Sequence, residues 1–330
     1  MKHCFLKFVL SILLVSICMT GIYSQQKPQK ARVNLILDTD IGPDYDDVGA
    51  MAVLHTLADS GYVKILAVAA SNQSKYAAGV LDVLNTYFKR PNVPVGVVRG
   101  RSVNETAWQH WDSLLVAKYP HDLRSNAQAE NALSLYRRIL AAQPDGSVTI
   151  TTVGFLTNMA DLLLSKPDKY SHLSGKDLIR KKVKRLVCMA GHFPAGKEFN
   201  VDRDPVSSKI VFDGWVTPIV FSGFEIGNAV HTGLPLIQNE KIQHSPVKDV
   251  FARAIPMAKE DAGGRMSWDE TAVLVAVKGY EPYYKAVEGR FVCASDGSNK
   301  WNTSGKGHFY LVEKMPVPEM EKVLNDLIMR

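Results

Sequence analysis

Five short runs of aliphatic and β-branched residues, at 33–37, 63–69, 147–153, 183–189 and 216–221, are each separated by a longer stretch with helical periodicity. Apolar runs without polar alternation belong to strands buried on both faces, and helical crossovers between them require parallel pairing. The pattern therefore predicts an α/β fold: a mostly parallel open sheet flanked by helices, with a Rossmann-like core. Helices are expected over 47–58, where Val48, Met51, Ala52, Leu54 and His55 recur at helical spacing, and over 77–87, 130–142 and 158–165. With 46% hydrophobic residues in a chain of 330, there is ample material for one large core. No repeat or low-complexity linker interrupts it, so residues 31–330 are read as a single domain.

The N-terminus stands apart. Lys2 and Lys7 precede an apolar run over 8–17, and a small residue, Ser24, follows it, the pattern of a signal peptide over 1–24, followed by a polar tail over 25–30. The run is shorter than the roughly 20 apolar residues a spanning helix needs. A periplasmic or secreted protein with no membrane span after signal removal is expected. Loss of the two lysines lowers the net charge from +6 to +4. No basic stripe with interleaved aromatics is present, and the cluster Arg180-Lys181-Lys182-Val183-Lys184-Arg185 reads as a solvated strand entry, so no nucleic-acid partner is expected. Cys4 and Cys18 leave with the signal. Cys188 and Cys293 remain, and disulfides are not expected to hold the fold.

Open α/β sheets bind ligands beyond the carboxyl ends of their strands, and polar residues gather there in this chain. Asp38-Thr39-Asp40 follows the first run, Ser71-Asn72 the second, Gly154-Phe155-Leu156-Thr157-Asn158 the third and Ala190-Gly191-His192 the fourth. The first of these opens Asp38-Thr39-Asp40-Ile41-Gly42-Pro43-Asp44-Tyr45-Asp46-Asp47, five carboxylates in ten residues. Mutual repulsion would raise their pKa values, whereas a hard divalent cation with oxygen ligands would keep them ionised. Gly42 and Pro43 let the segment fold back so that both ends face one ion. The spacing is not that of an EF-hand. A solvated acidic turn with Asp46 and Asp47 at a helix start is the alternative.

The Asp-Thr-Asp opening followed by Asp46-Asp47 resembles the signature of the inosine-uridine-preferring nucleoside hydrolases, calcium-dependent enzymes that cleave the N-glycosidic bond of ribonucleosides. Gly154-Phe155-Leu156-Thr157-Asn158 is similar to the family's Gly-Pro-Leu-Thr-Asn segment. Glu198-Phe199-Asn200 followed by Asp204-Pro205 matches its Glu-Phe-Asn and Asp-Pro stretch, and Asp269 stands at its late aspartate. The resemblance implies a nucleoside-hydrolase-like fold, with calcium ligated by Asp40, Asp47, Asp269 and the Val153 carbonyl. It makes Asp40 the general base toward a water on that calcium. Asp46, Asn72, Glu198 and Asn200 would bind ribose hydroxyls, and Met189 would line the sugar pocket. The partner it implies is a small nucleoside; a homo-oligomer is left open.

Three departures qualify the resemblance. Two extra residues separate the opening from the Asp pair, so Asp44 could share the role of Asp46. No asparagine stands between Met189 and Glu198, where His192 could substitute. Trp268 stands where many members carry histidine before the late aspartate. An aromatic ring there favours stacking on a purine base. Trp108 and Trp111 could supply an opposing ring, and His110 a leaving-group acid, with ordinary packing or a surface position as the alternatives. Asn72, Asn104 and Asn302 fit the glycosylation pattern, although a sugar on Asn72 would obstruct the site. Two rival functions remain: a haloacid-dehalogenase-type phosphatase, which also ends a strand in Asp-x-Asp but needs a lysine near phosphate, and a secreted nucleoside-binding protein without turnover.

Overall fold

The computed structural model describes residues 32–330, and Arg32–Arg330 form one unit. The signal peptide and polar tail expected over 1–24 and 25–30, with Cys4 and Cys18, lie outside the described residues. In chain order the strands are β1 (Val33–Thr39), β2 (Val63–Ala70), β3 (Val95–Val97), β4 (Glu130–Asn131), β5 (Val148–Thr152), β6 (Val183–Met189), β7 (Ala195–Lys197), β8 (Ile219–Ser222), β9 (His231–Thr232), β10 (Arg265–Met266), β11 (Tyr284–Cys293), β12 (Ser298–Asn302) and β13 (His308–Glu313). All but β9 and β10 join one sheet in the order β4-β3-β2-β1-β5-β6-β8-β13-β11-β12-β7. From β4 to β13 every neighbouring pair is parallel, as the aliphatic runs required.

The chain runs outward from β1 through β2, β3 and β4, then returns to place β5 on the other side of β1. The strand order thus reverses between β1 and β5, the place where doubly wound sheets open a ligand crevice.

Local chemistry moves several boundaries. Pro218 has no N–H for the ladder and only its carbonyl pairs, with the amide of Leu186, so β8 begins at Ile219 rather than at 216. The helix expected over 130–142 starts at Ala132, because Glu130 and Asn131 pair with β3 and the Asn131 side chain caps the helix by accepting from the Ser134 amide at 3.1 Å. The antiparallel strands β11, β12 and β13 extend the sheet beyond the five runs.

The helix Asp46–Asp59 is buried at every position from Asp46 to Ala58, since it lies between the sheet and other helices. Its closest helical neighbour is Trp268–Lys278. A Cβ on Gly49 would come within 2.1 Å of Glu270 Oε1, so any larger residue must push this buried carboxyl aside. That contact brings the N-terminal turns of both helices, carrying Asp46, Asp47 and Asp269, to one place. Cys188 and Cys293 are free and buried, and among the described residues no helix is long and apolar enough to cross a membrane.

Gly49→Ala is predicted to destabilise the fold by about 1–3 kcal/mol through overpacking against buried Glu270. Chemical denaturation should show a lower midpoint at unchanged slope; a variant as stable as wild type would mean the two helices can separate freely.

Candidate active site

A cavity of about 260 Å³ opens at the carboxyl ends of β1, β5 and β6, and Asp40, Val153 and Met189 line it from those strand ends. Close backbone approach builds it. A Cβ on Gly154 would lie 2.3 Å from the amide nitrogen of Asp40, so the chain leaving β5 crosses the chain leaving β1 where no side chain could fit. Val153, just before the crossing, lines the same cavity as Asp40.

Asn72, expected to hold ribose, is instead a bracket for the backbone. Its amide group donates to the carbonyls of Asp40 and Glu105, both at 2.8 Å, and its oxygen accepts from the amides of Glu105 at 3.0 Å and Ser74 at 3.3 Å. It is fully buried and does not line the cavity, which also leaves no room for a glycan on it. Beneath the floor, Asp38 accepts from Tyr136 at 2.7 Å and Asn158 at 2.8 Å, and Thr157 donates to Asp204 at 2.5 Å. These motif residues brace the strand ends and take no part in lining the cavity. Burial pushes the Asp38 carboxyl up to about 7, against the pull of its hydrogen-bond donors.

Asp40, Asp46, Asp47 and Asp269 all line the cavity and all are at most 4% exposed. Burial, followed by repulsion from neighbouring carboxylates, holds Asp40, Asp47 and Asp269 well above the usual carboxylate range. The Thr39 hydroxyl donates to Asp47 Oδ1. Among the described residues none of these three is in an ion pair, and no three acidic, histidine or cysteine side chains are preassembled as a metal-binding group. The donor set nonetheless fits a hard cation: three anionic oxygen ligands with no counter-charge, beside a backbone carbonyl.

Asp46 differs from the other three. Arg265 donates to its Oδ1 from Nε at 3.1 Å and Nη2 at 2.8 Å, while Asp44, half exposed at the rim, meets Nη2 at 3.0 Å. Burial opposes the Arg265 charge, but Asp46 and Asp44 more than offset it.

Glu198 and Asn200 also line the cavity. Glu198 caps the short helix Phe199–Arg203, accepting from the amides of Asn200 at 2.7 Å, Gly191 at 3.1 Å and Val201 at 3.3 Å. The Asn200 amide donates to the Val153 carbonyl at 3.1 Å and to Met189, so this pair fixes both strand ends while facing the cavity. Burial raises the Glu198 carboxyl to about 7 despite the three amide donors.

On the opposite wall Trp268 lies tilted against Phe224 with centroids 5.5 Å apart, its Nε1 donating to the Phe224 carbonyl at 2.7 Å. His192 is one ring further back, 5.3 Å from Phe224, and is not a lining residue. Neither are Trp108, His110 or Trp111. Trp108 is exposed, His110 is an exposed residue in the left-handed region just before the helix Trp111–Lys118, and Trp111 is fully buried in the apolar core with Leu115, which removes it as a stacking ring. Arg265, Phe224, Phe199, Met266 and Glu260 complete the lining and were not singled out from the sequence.

The Glu198 shift sets a pH dependence. A carboxyl raised on folding contributes stability that is fully present below its unfolded pKa near 4.5 and is lost as pH rises through about 7. Relative to Glu198→Gln, wild type should lose about 3 kcal/mol between these limits. Denaturation curves that stay parallel for the two proteins across this range would contradict the buried, raised carboxyl.

Residues 35–311 match the sequence profile of the family described as inosine-uridine preferring nucleoside hydrolase. A pyrimidine-specific ribonucleoside hydrolase, RihA, of Salmonella enteritidis is 29% identical over 239 residues, 68% of this chain and 71% of the relative. Among solved structures, an inosine-uridine preferring nucleoside hydrolase from Bacillus anthracis superposes with a TM-score of 0.68 at 16% identity, covering 90% of this chain and 99% of that one. A purine-preferring ribonucleoside hydrolase from Gardnerella vaginalis gives a TM-score of 0.70 at 16% identity, covering 90% and 98%. These likenesses match the fold, and the profile spans most of the chain. The chain belongs to the inosine-uridine preferring nucleoside hydrolase family and is a hydrolase of N-glycosyl bonds.

Proposed function

We propose that this protein hydrolyses purine ribonucleosides to free base and ribose in a calcium-dependent reaction, with Asp40 as the general base. The observation that carries the proposal is the set of three buried carboxylates without a cation, Asp40, Asp47 and Asp269, at the strand-order reversal. Asp40, Asp47, Asp269 and the Val153 carbonyl would hold the calcium, which would supply positive charge that acidifies and orients a water. Asp40 takes the proton of that water as its oxygen bonds to the anomeric carbon. The C–N bond breaks, its electron pair leaves with the base, and the sugar passes through an oxocarbenium-like state; the base takes up a proton from solvent and Asp40 returns the water's proton to solvent, so that neutral base and ribose are released. Asp46, Glu198 and Asn200 hold the sugar hydroxyls and set negative and dipolar groups around that developing positive charge. Met189 packs against the sugar.

The leaving group is where this chain has its own solution. Trp268, braced by Phe224, offers an aromatic face to the departing base and no acidic proton at its reacting side. Stacking of this kind favours the larger purine surface, whereas the RihA relatives are named for pyrimidine specificity. A phosphatase reading finds no lysine among the lining residues, where Arg265 is committed to carboxylates. With residues 1–24 as a secretion signal, the reaction would occur outside the cytoplasm, and the mature chain would begin at Gln25.

Purified protein should release base and ribose from inosine, guanosine or adenosine faster than from uridine or cytidine, and exhaustive chelation should abolish the release until calcium is restored. Activity untouched by chelation would remove the cation from the reaction, and faster pyrimidine cleavage would overturn the purine reading. Asp40→Asn should lose about 10²–10⁴-fold with the fold intact; a loss under about threefold would exclude Asp40 as the base.

Trp268→Ala should cost about 1–3 kcal/mol of transition-state stabilisation with purine nucleosides. It should cost much less with nitrophenyl riboside, whose leaving group departs unaided. Equal losses on both substrates would place the ring's contribution in pocket shape instead.

A further inference from the structure

Arg265 is the one cation among the residues lining the cavity, and the reaction above gives it no part. Several independent contacts determine its position. The short ladder between β10 and β9 sets Arg265 opposite Thr232. The rings of Tyr45 and Trp268 each lie 5.0 Å from the guanidinium carbon. The Tyr45 hydroxyl donates to Asp261 Oδ2 at 2.5 Å, and Asp261 Oδ1 stands 3.6 Å from Arg265 Nη1. A guanidinium held between two rings and a buried carboxylate has one orientation, and in it Nε and Nη2 both point at Asp46 Oδ1.

That arrangement divides the two oxygens of Asp46. Oδ1 is pinned by two charge-assisted hydrogen bonds. Oδ2 has only the Asp269 amide at 3.4 Å, so it is the acceptor that Asp46 can offer within the cavity. A carboxylate fixed in this way cannot swing aside when a ligand hydroxyl is missing; its Oδ2 stays buried with only the long contact from the Asp269 amide, the situation in which binding sites reject analogues lacking a hydroxyl.

We propose that Arg265 is a positioning residue that locks Asp46 toward a sugar hydroxyl and thereby sets the preference for ribonucleosides over their deoxy analogues. This rests on the nucleoside hydrolase reading and deepens it. The planar fork is essential, because a lysine would supply the charge as a point and leave Asp46 free to rotate.

The test compares kcat/KM for inosine with that for 2′-deoxyinosine and 3′-deoxyinosine, in wild type, R265K, R265Q, D46N and the D46N/R265Q double variant. At least one ribo-to-deoxy ratio should fall by about 10-fold or more in both R265K and R265Q, the size of a lost hydrogen bond to a charged group. In the D46N background R265Q should leave that ratio within about twofold, since the residue acts through Asp46. Equal losses on all three substrates, as a purely structural cation would give, overturn the proposal, as does a ratio that still moves when Asp46 is already replaced. If R265Q fails to fold, R265K and the double variant, which leaves no unpaired charge at this pair, decide the matter. Wild-type protein inert toward every nucleoside would refute the functional reading itself, whereas active protein with unchanged ratios would refute only the role of Arg265.

Discussion

Asp40, Asp46, Asp47 and Asp269 are all buried at the carboxyl edge of the sheet, and taking four carboxylates out of water into one another's field costs free energy that the surroundings must offset. The offset takes two forms. Asp46 has a dedicated cation in Arg265, fixed from several directions. The other three have the N-terminal turns of two helices and a threonine hydroxyl. Helix termini contribute only fractions of a kcal/mol to about 2 kcal/mol each. That falls short of holding three ionised groups together, which is the physical case for a divalent ion among them.

The fold serves this one arrangement. The return of the chain across β1 opens the crevice. Gly154 lets two strand ends cross within backbone contact, and Gly49 lets the helices bearing Asp46, Asp47 and Asp269 converge. Asn72, Asn158 and Thr157 tie the loops to the strand ends by side-chain hydrogen bonds, so the polar residues of the motifs divide into those that face the cavity and those that hold the first group still. In the proposed reaction such an arrangement would position a water and a sugar without further reorganisation, the property on which electrostatic stabilisation of a transition state depends.

The strands of the parallel block were legible because burial on both faces leaves an uninterrupted apolar run, and 183–189 became a strand with the same bounds. Asp40, Asp47 and Asp269 are brought together in the sequence only by the resemblance of their motifs to the family signature, and all three line the cavity. Less local features escaped. Arg265 and Phe224 lie in short segments whose meaning comes from contacts with residues far away in sequence, Asp46 and Trp268 respectively. Nothing in the neighbourhood of either residue distinguishes it from an ordinary surface arginine or core phenylalanine. Asn72 stands at the expected strand end but its amide serves backbone carbonyls, a distinction invisible in a sequence, which cannot tell whether an amide faces a ligand or a backbone. Trp111 turned inward because its helix packs that face on the core, and the antiparallel strands β11 to β13 carry too many polar positions to read as buried runs.

Oxygen-18 water tests the central claim most directly. In the presence of calcium and a purine ribonucleoside, a site that directs water at the anomeric carbon releases ribose carrying the heavy oxygen at that carbon in the first turnover, together with unlabelled base. Mass spectrometry of the products from wild type, with Asp40→Asn as the control, would show it. Ribose released without the label, or labelled ribose formed at the same rate when Asp40 is asparagine, would contradict the account.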